Sequence, residues 1–470
     1  MKRLLKVQVL ELLTPTNPCL GIVGIFLLEI RTYILYNIKQ NISSLLYGGI
    51  LMISYSTAPH HKILCIDMKS FFASCAAVQL GLDPLTCYLA VVGDTDREGS
   101  IVLASSPKMK SEFGIKTGNR LFEIPNDPRI KIVNARMGTF LKTSTEITRL
   151  FNQFVPKECI HVYSIDESFL KIDGTERLWG STQETAEKIR EAIAKQFNLP
   201  CAVGIGPNML LSKLCLDLDA KKSGIAEWTY EDVKTKLWNV SPLSKMWGIG
   251  SRLERTLNRM GIMTVGQLAN YPLALLEKKF GIMGNQLYYH AHGIDFSELG
   301  APIIQGQVSF GKGQILLRDY EDPKEVKHVM LEMCEEVARR ARNARKCGRT
   351  VSLSIGYSKD EGGGGFHRSR TIPEPTNITM DIYRTCLQLF DENFNNRTVR
   401  QISITLSNIC DDEQFQLSLF EENKVKEREL GYVMDAIRKK HGSNAILRAV
   451  SYTKAGTSRH RNKLVGGHRA

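Results

Sequence analysis

The chain has 470 residues, 43% of them hydrophobic, and a formal charge of +13. At about 150 residues per domain that length implies several domains, with an apolar share ordinary for a globular protein, and the basic balance suits a polyanionic partner. The 11 cysteines are scattered, with no CxxC pair and no Cys/His cluster at zinc spacing, which argues against a structural zinc and for a reducing cytosol.

Residues 1–51 read unlike the rest. Cys19 to Leu28 is apolar, but Glu29 and Arg31 interrupt it, short of the roughly 20 residues a membrane span needs. Met1-Lys2-Arg3 has the look of a signal n-region, yet no small-residue cleavage site follows. Met52 is therefore expected to be the natural start, inside an N-terminal extension of residues 1–60. The rival reading is an amphipathic, membrane-tethering extension.

From Lys62 to about Asn239 the pattern mixes strands and helices. Strands are expected at 62–67, 88–93, 100–105, 130–134, 160–165, 168–172 and 201–205. Helices are expected at 69–80, 107–113, 138–154, 182–197 and 208–220. Two stretches carry the chemistry. In Val162 to Leu170, Asp166 and Glu167 sit between apolar strand-formers, where adjacent carboxylates repel and resist desolvation. A divalent cation removes both penalties; the plainer reading is a hairpin turn with two solvated acids. In Lys62 to Phe72, an apolar run ends in Asp67. A carboxylate at a strand end can face a neighbouring strand's acid pair, and three carboxylates with substrate phosphates make a two-metal site for in-line displacement.

Ser241 to Gly300 reads as helices broken by glycines. Gly248, Gly250 and Arg252 open one helix and Gly261 follows, a helix-hairpin-helix pattern whose exposed N–H groups suit a phosphate; the plainer reading is an ordinary helical turn. After a linker near 300–306 comes a second α+β region, 307–410: strand, helix (323–346), strands (350–357 and 367–372), helix (378–394), strand (399–406). The acid-free run Arg339 to Thr350, with Arg345 and Arg349, is either a solvated face or a track for a DNA backbone. In the tail, 411–470, Gln416-Leu417-Ser418-Leu419-Phe420 is an apolar peptide beside acids, followed by a helix (423–440) and a basic end.

Taken together, Asp67-Met68-Lys69-Ser70-Phe71-Phe72, Tyr163 to Glu167 and Gly204 to Asp217 resemble the Y-family translesion DNA polymerases, in their UmuC/UvrX-like bacterial branch. The resemblance covers about 61–440. It implies an α+β, multidomain right hand: palm and fingers at 61–240 (fingers about 71–136), a thumb at 241–300, and a little finger at 307–410. It implies a template-directed DNA polymerase for DNA damage repair, an SOS response role and a cytoplasmic location. Asp67, Asp166 and Glu167 match the metal-binding carboxylates, with the Met68 carbonyl as a backbone ligand, for two Mg²⁺. Phe72 matches the steric gate beneath the sugar, next to Phe71. Lys213 matches a lysine that meets the deoxynucleoside triphosphate. The fingers' usual Tyr/Arg pair is absent, and Lys110, ahead of Lys108, is expected to replace the arginine. Gln416, Leu417, Leu419 and Phe420 look like a sliding clamp (beta) peptide. Implied partners are primer-template DNA, nucleotides, the clamp and, in UmuC-like relatives, accessory subunits. Rival readings are a palm-type nucleotide cyclase and an inactive DNA-binding accessory protein.

Overall fold

The computed structural model describes residues 54–300, 309–414, 424–465 and 468–469. The extension 1–51 and the peptide Gln416 to Phe420 lie outside the described residues. By their contacts the described residues up to Lys69 group with Ile147–Gly300, and Ser70–Glu146 with the described residues after Gly300.

The strands of the N-terminal half are β1 (Ile63–Met68), β2 (Leu89–Val92), β3 (Val102–Ser105), β4 (Lys131–Asn134), β5 (Ile160–Val162), β6 (Glu167–Lys171), β7 (Cys201–Gly206) and β8 (Ile225–Glu227). Those of the C-terminal half are β9 (Ser309–Tyr320), β10 (Lys346–Tyr357), β11 (Gly365–Thr376) and β12 (Val399–Asp411).

In the first unit the sheet order is β5-β6-β1-β7-β8. The central strand β1 is buried along its length except at Asp67. A strand covered on both faces reads as an unbroken apolar run, which is why Ile63 to Ile66 stood out in the sequence. The three-residue β8, parallel to β7, was not expected, because Ile-Ala-Glu has no strand pattern of its own.

Two glycines on β7 let a helix lie close against the sheet. A Cβ on Gly204 would stand 2.3 Å from the Ser212 carbonyl oxygen, and one on Gly206 2.5 Å from the Ser212 nitrogen. The expected helix 208–220 is α-helical only over Met209–Cys215, capped by the Asn208 side chain; Leu216–Ala220 is a π turn. Beyond it the helices Ser251–Arg259, Val265–Ala269, Leu273–Phe280 and Ile282–Ala291 close around Leu257, Leu268, Leu276 and Tyr288.

In the second unit a three-stranded sheet, β3-β2-β4, packs around Val92, Val102, Met109 and Ile115. The larger sheet is antiparallel, order β11-β10-β12-β9. Its inward residues Val351, Leu353, Ile404 and Leu406 pack with Val337 and Phe390 of the helices Pro323–Asn343 and Thr379–Asn393. Strand period two sends the alternate residues to the other face, where Thr350, Ser352, Ser354, Ser403, Thr405 and Ser407 are half-buried. β10 begins at Lys346 rather than 350, and a register shift against β11 between Gly348 and Thr350 hides the period there.

The helix Lys424–His441 and the residues after it fold onto Pro323–Asn343. Arg342, 2% exposed, pairs with Asp435 at 2.7 Å; Glu335 accepts from Arg448 at 2.5 Å and Arg438 at 3.2 Å. The run Arg339 to Thr350 is therefore not one solvated face: Arg342 points inward, and Arg339 and Arg340 both grip Glu336 at 2.8 Å. Among the described residues every cysteine is free.

Candidate active site

β1 and β6 run antiparallel in a register that sets Asp67 opposite Glu167, a cross-strand distance at which side chains interact directly. Asp166 stands in the turn just before β6. The turn is tied by the N–H groups of Tyr163 and Ser164, both donating to the Glu167 carbonyl at 3.0 Å, and the Met68 N–H donates to the Asp166 carbonyl at 3.0 Å. The Ser164 hydroxyl donates to Asp166 Oδ1 at 2.7 Å. Met68, the last residue of β1, pairs with Cys201 on the other side. Two segments a hundred residues apart thus bring three carboxylates together.

The helix over β7 supplies the counter-charge. Lys213 Nζ lies 2.8 Å from Glu167 Oε2 and 3.2 Å from Asp217. Lys221 Nζ lies 2.7 Å from Asp67 Oδ2 and 2.8 Å from Asp217. Asp217 is thereby shared by two ammonium groups spaced four residues before and after it, and the intervening π turn keeps all three side chains on one side. The Cys65 thiol donates to Glu167 Oε1 at 3.2 Å, so both carboxylate oxygens of Glu167 are held. Burial pushes the Asp67 carboxyl up, Lys221 partly opposes this, and the charges of Asp166 and Glu167 add to the rise. Burial alone would lower Lys213, but Glu167 and Asp217 outweigh it and raise its pKa.

Lys213 was singled out in the sequence; Lys221, Asp217 and Cys65 were not. The Lys-Asp-Lys spacing on one helix face and Cys65 two residues before Asp67 on one strand face were the available signals. Among the described residues no three Asp, Glu, His or Cys side chains stand as a ready-made metal cage; lysines hold Asp67 and Glu167, and Ser164 holds Asp166. The donor set still fits a hard divalent cation: carboxylate oxygens only, with Asp67 raised chiefly by burial and further by Asp166 and Glu167.

In the second unit, Ser70 (φ 50°) precedes the helix Phe71–Gln79. Phe71 is buried at 2% exposure. Phe72 is less buried and stacks on Phe140, centroids 4.5 Å apart at 15°, so the ring with an accessible edge is that of Phe72. Lys110 Nζ donates to the Ser70 hydroxyl at 2.8 Å, while Lys108 pairs with Glu112 at 2.6 Å. Of the two lysines, Lys110 is the one that reaches the Ser70-Phe71-Phe72 corner.

Gly248 adopts φ +91° and Gly250 is the N-cap of Ser251–Arg259, with Arg252 exposed in its first turn. Arg345 (φ 52°) and Arg349 are exposed at the start of β10; Arg349 donates to the Ile372 carbonyl at 3.2 Å. Sequence reasoning missed the hydroxyl-bearing face beside them, where Thr350 meets Thr371 at 2.9 Å and Ser352 meets Ser369 at 2.8 Å. Alternating Ser and Thr was the signal.

Residues 66–217 match the impB/mucB/samB family, 307–419 its C-terminal domain, and 244–295 the DNA polymerase-iota thumb domain. The chain is 66% identical to the UvrX protein of Bacillus subtilis (strain 168), over 89% of this chain and 100% of that one. It is 39% identical to DNA polymerase IV 2 of the same organism, over 86% and 98%, and 36% identical to DNA polymerase IV of Pelotomaculum thermopropionicum, over 85% and 97%. A solved Y-family DNA polymerase chimera of Dbh and Dpo4 matches in fold, with a TM-score of 0.59 at 21% identity, over 74% of this chain and 99% of that one.

Proposed function

The chain belongs to the impB/mucB/samB family, with the palm, thumb and little-finger fold of the Y-family DNA polymerases, and from that premise we propose that it is a DNA-directed DNA polymerase that inserts nucleotides opposite damaged template bases. The observation that carries the proposal is the register of β1 and β6, which sets Asp67 against Glu167 with Asp166 at the turn.

In this reading Asp67, Asp166, Glu167 and the Met68 carbonyl would hold two divalent cations, which would supply the positive charge that stabilises the attacking and leaving oxygens of an in-line displacement. The chain's own residues prepare the site. Lys213 and Cys65 fix both oxygens of Glu167, so the carboxylate needs little reorganisation. Lys221, whose side chain is 43% exposed against 9% for Lys213, is the better placed of the two to meet a triphosphate. Phe72 excludes a 2′-hydroxyl, and Lys110 adds a fingers-side cation. Gly248, Gly250, Arg252, Arg345, Arg349 and the hydroxyl face of β10 and β12 position the DNA backbone. Gln416 to Phe420 engages a sliding clamp. Among the described residues no helix is long and apolar enough to cross a membrane.

Primer extension on undamaged and abasic-site templates, with Mg²⁺ and with or without the clamp, tests this. Templated lengthening across the lesion is expected, as is clamp stimulation that disappears when 416–420 are deleted. No templated lengthening on either template would refute the assignment. Phe72→Ala is expected to raise ribonucleotide incorporation by at least about tenfold, the loss of roughly 1.4 kcal/mol of discrimination; unchanged sugar selectivity would remove the gate role.

A further inference from the structure

One strongly charged surface belongs to none of these roles. Residues 424–465 follow the stretch 307–419 that matches the family's C-terminal domain. They carry eleven lysines and arginines against three acids, +8 of the chain's +13. Part of this charge is used internally, by Arg438 and Arg448 on Glu335 and by Arg428 on Asp412. The remainder is gathered by tertiary contacts. Asn462 Nδ2 donates to the Ser443 carbonyl at 3.2 Å and to Asn444 Oδ1 at 2.9 Å, and Asn444 Nδ2 donates to the Arg459 carbonyl at 3.2 Å. These bonds set the C-terminal end of the helix Lys424–His441, with Lys439 and Lys440, beside Ser458–Arg461 and Lys463. Lys439, Lys440, Arg459 and Lys463 are all exposed. Tyr452, 62% exposed, carries the Arg459 guanidinium 4.9 Å from its ring centroid.

We propose that this surface binds single-stranded DNA, with Lys439, Lys440 and Lys463 holding phosphates and the Tyr452–Arg459 pair stacking an unpaired base. Lysines that track a backbone beside an exposed aromatic are the chemistry of single-strand binding. A paired duplex hides its base faces and would leave Tyr452 without a use. The surface is also preorganised. Glu332 accepts from the Thr457 N–H at 2.8 Å and hydroxyl at 3.0 Å, and the buried Tyr320 hydroxyl donates to the Ala455 carbonyl at 3.0 Å. Glu332 lies on the helix Pro323–Asn343, and Tyr320 ends β9 with its ring in the core that this helix covers, so the surface is on the side of the sheet away from the hydroxyl face of β10 and β12.

The proposal rests on the polymerase reading for the choice of DNA as the polyanion. The test is fluorescence anisotropy with oligo-dT, a blunt duplex, and primer-templates with a short or a long 5′ overhang (about 16 nucleotides, the upper end of common single-strand sites). In Lys439→Gln/Lys440→Gln/Lys463→Gln, the slope of log K against log salt for oligo-dT should fall by about two, since each phosphate neutralised on a single strand contributes about 0.7. The corresponding triple arginine variant should restore it. Tyr452→Ala should weaken oligo-dT binding at least about fivefold, the low end of one stacked base. Unchanged slopes and affinities would overturn the proposal. An equal loss on the blunt duplex would make the surface a duplex site and overturn the proposal too. Wild-type extension of the short-overhang template reads the polymerase function independently, so its failure is distinguishable from failure of this surface.

Discussion

The molecule holds two clusters in which carboxylates are buried beside cations, and they are balanced in opposite ways. In the little finger, Glu335 is surrounded by Arg342, Arg438 and Arg448. Burial works against its charge, but the guanidinium groups, Arg448 foremost, outweigh burial and hold its carboxyl below the ordinary value. In the palm, Asp67 has Lys221 on one side and two further acids on the other, and burial wins, so its carboxyl is pushed up. The first cluster is complete and ties the C-terminal helix to the little finger. The second is short of positive charge, which is the state expected of a site that works with added cations. Buried ion pairs by themselves do not tell structure from function; what substitution does to each cluster separates them.

The largest expected effect comes from the incomplete cluster. Asp166→Asn or Glu167→Gln should cut primer extension by at least about a thousandfold, the worth of several kcal/mol of transition-state charge stabilisation, with DNA affinity by anisotropy nearly unchanged. Extension at the wild-type rate by either variant would erase the distinction between the clusters. The complete cluster should respond in the opposite currency of stability. Glu335→Ala strips Arg448 of its carboxylate and leaves Arg342 and Arg438 with Asp435 alone, and should cost about 3–5 kcal/mol, read as a lowered unfolding midpoint in urea; a shift under about 0.5 kcal/mol, the range of ordinary surface substitutions, would show that the pairing is not what holds the helix.

A smaller effect sharpens the comparison further. Because the folded Glu335 carboxyl lies below its unfolded value, the unfolded chain takes up its proton first as pH falls. Its stabilisation is therefore full above the unfolded carboxylate pKa of about 4.3 and is lost as pH drops through the lowered folded value. Denaturant midpoints measured from neutral pH into that acid window should fall less steeply for Glu335→Gln than for wild type. Parallel curves would mean that the arginines do not hold the carboxylate in its charged form.

How much of this was legible before folding varies with the range of the interaction. The helices 107–113 and 182–197 have their expected bounds, because a Ser106 cap and a Ser181–Glu184 capping box fix their starts within four residues. The helix expected at 208–220 changed character at Leu216, since nothing local announces a π turn. Arg342 sits in a run of cations that looks solvated, and only its partner Asp435, on a helix 93 residues later, shows that it points inward.

The sequence by itself determined the family, the acid-bearing strand ends and the expectation that Asp67, Asp166 and Glu167 act together, because an apolar strand interrupted by carboxylates is a local anomaly that needs a local reason. The tertiary structure alone decided that Lys213, Lys221, Asp217 and Cys65 surround those acids, and that residues 424–465 form a folded basic surface. Those arrangements depend on a close helix approach over Gly204 and Gly206 and on long-range ion pairs, and a contact between residues far apart in the chain leaves no period or cap for the sequence to show.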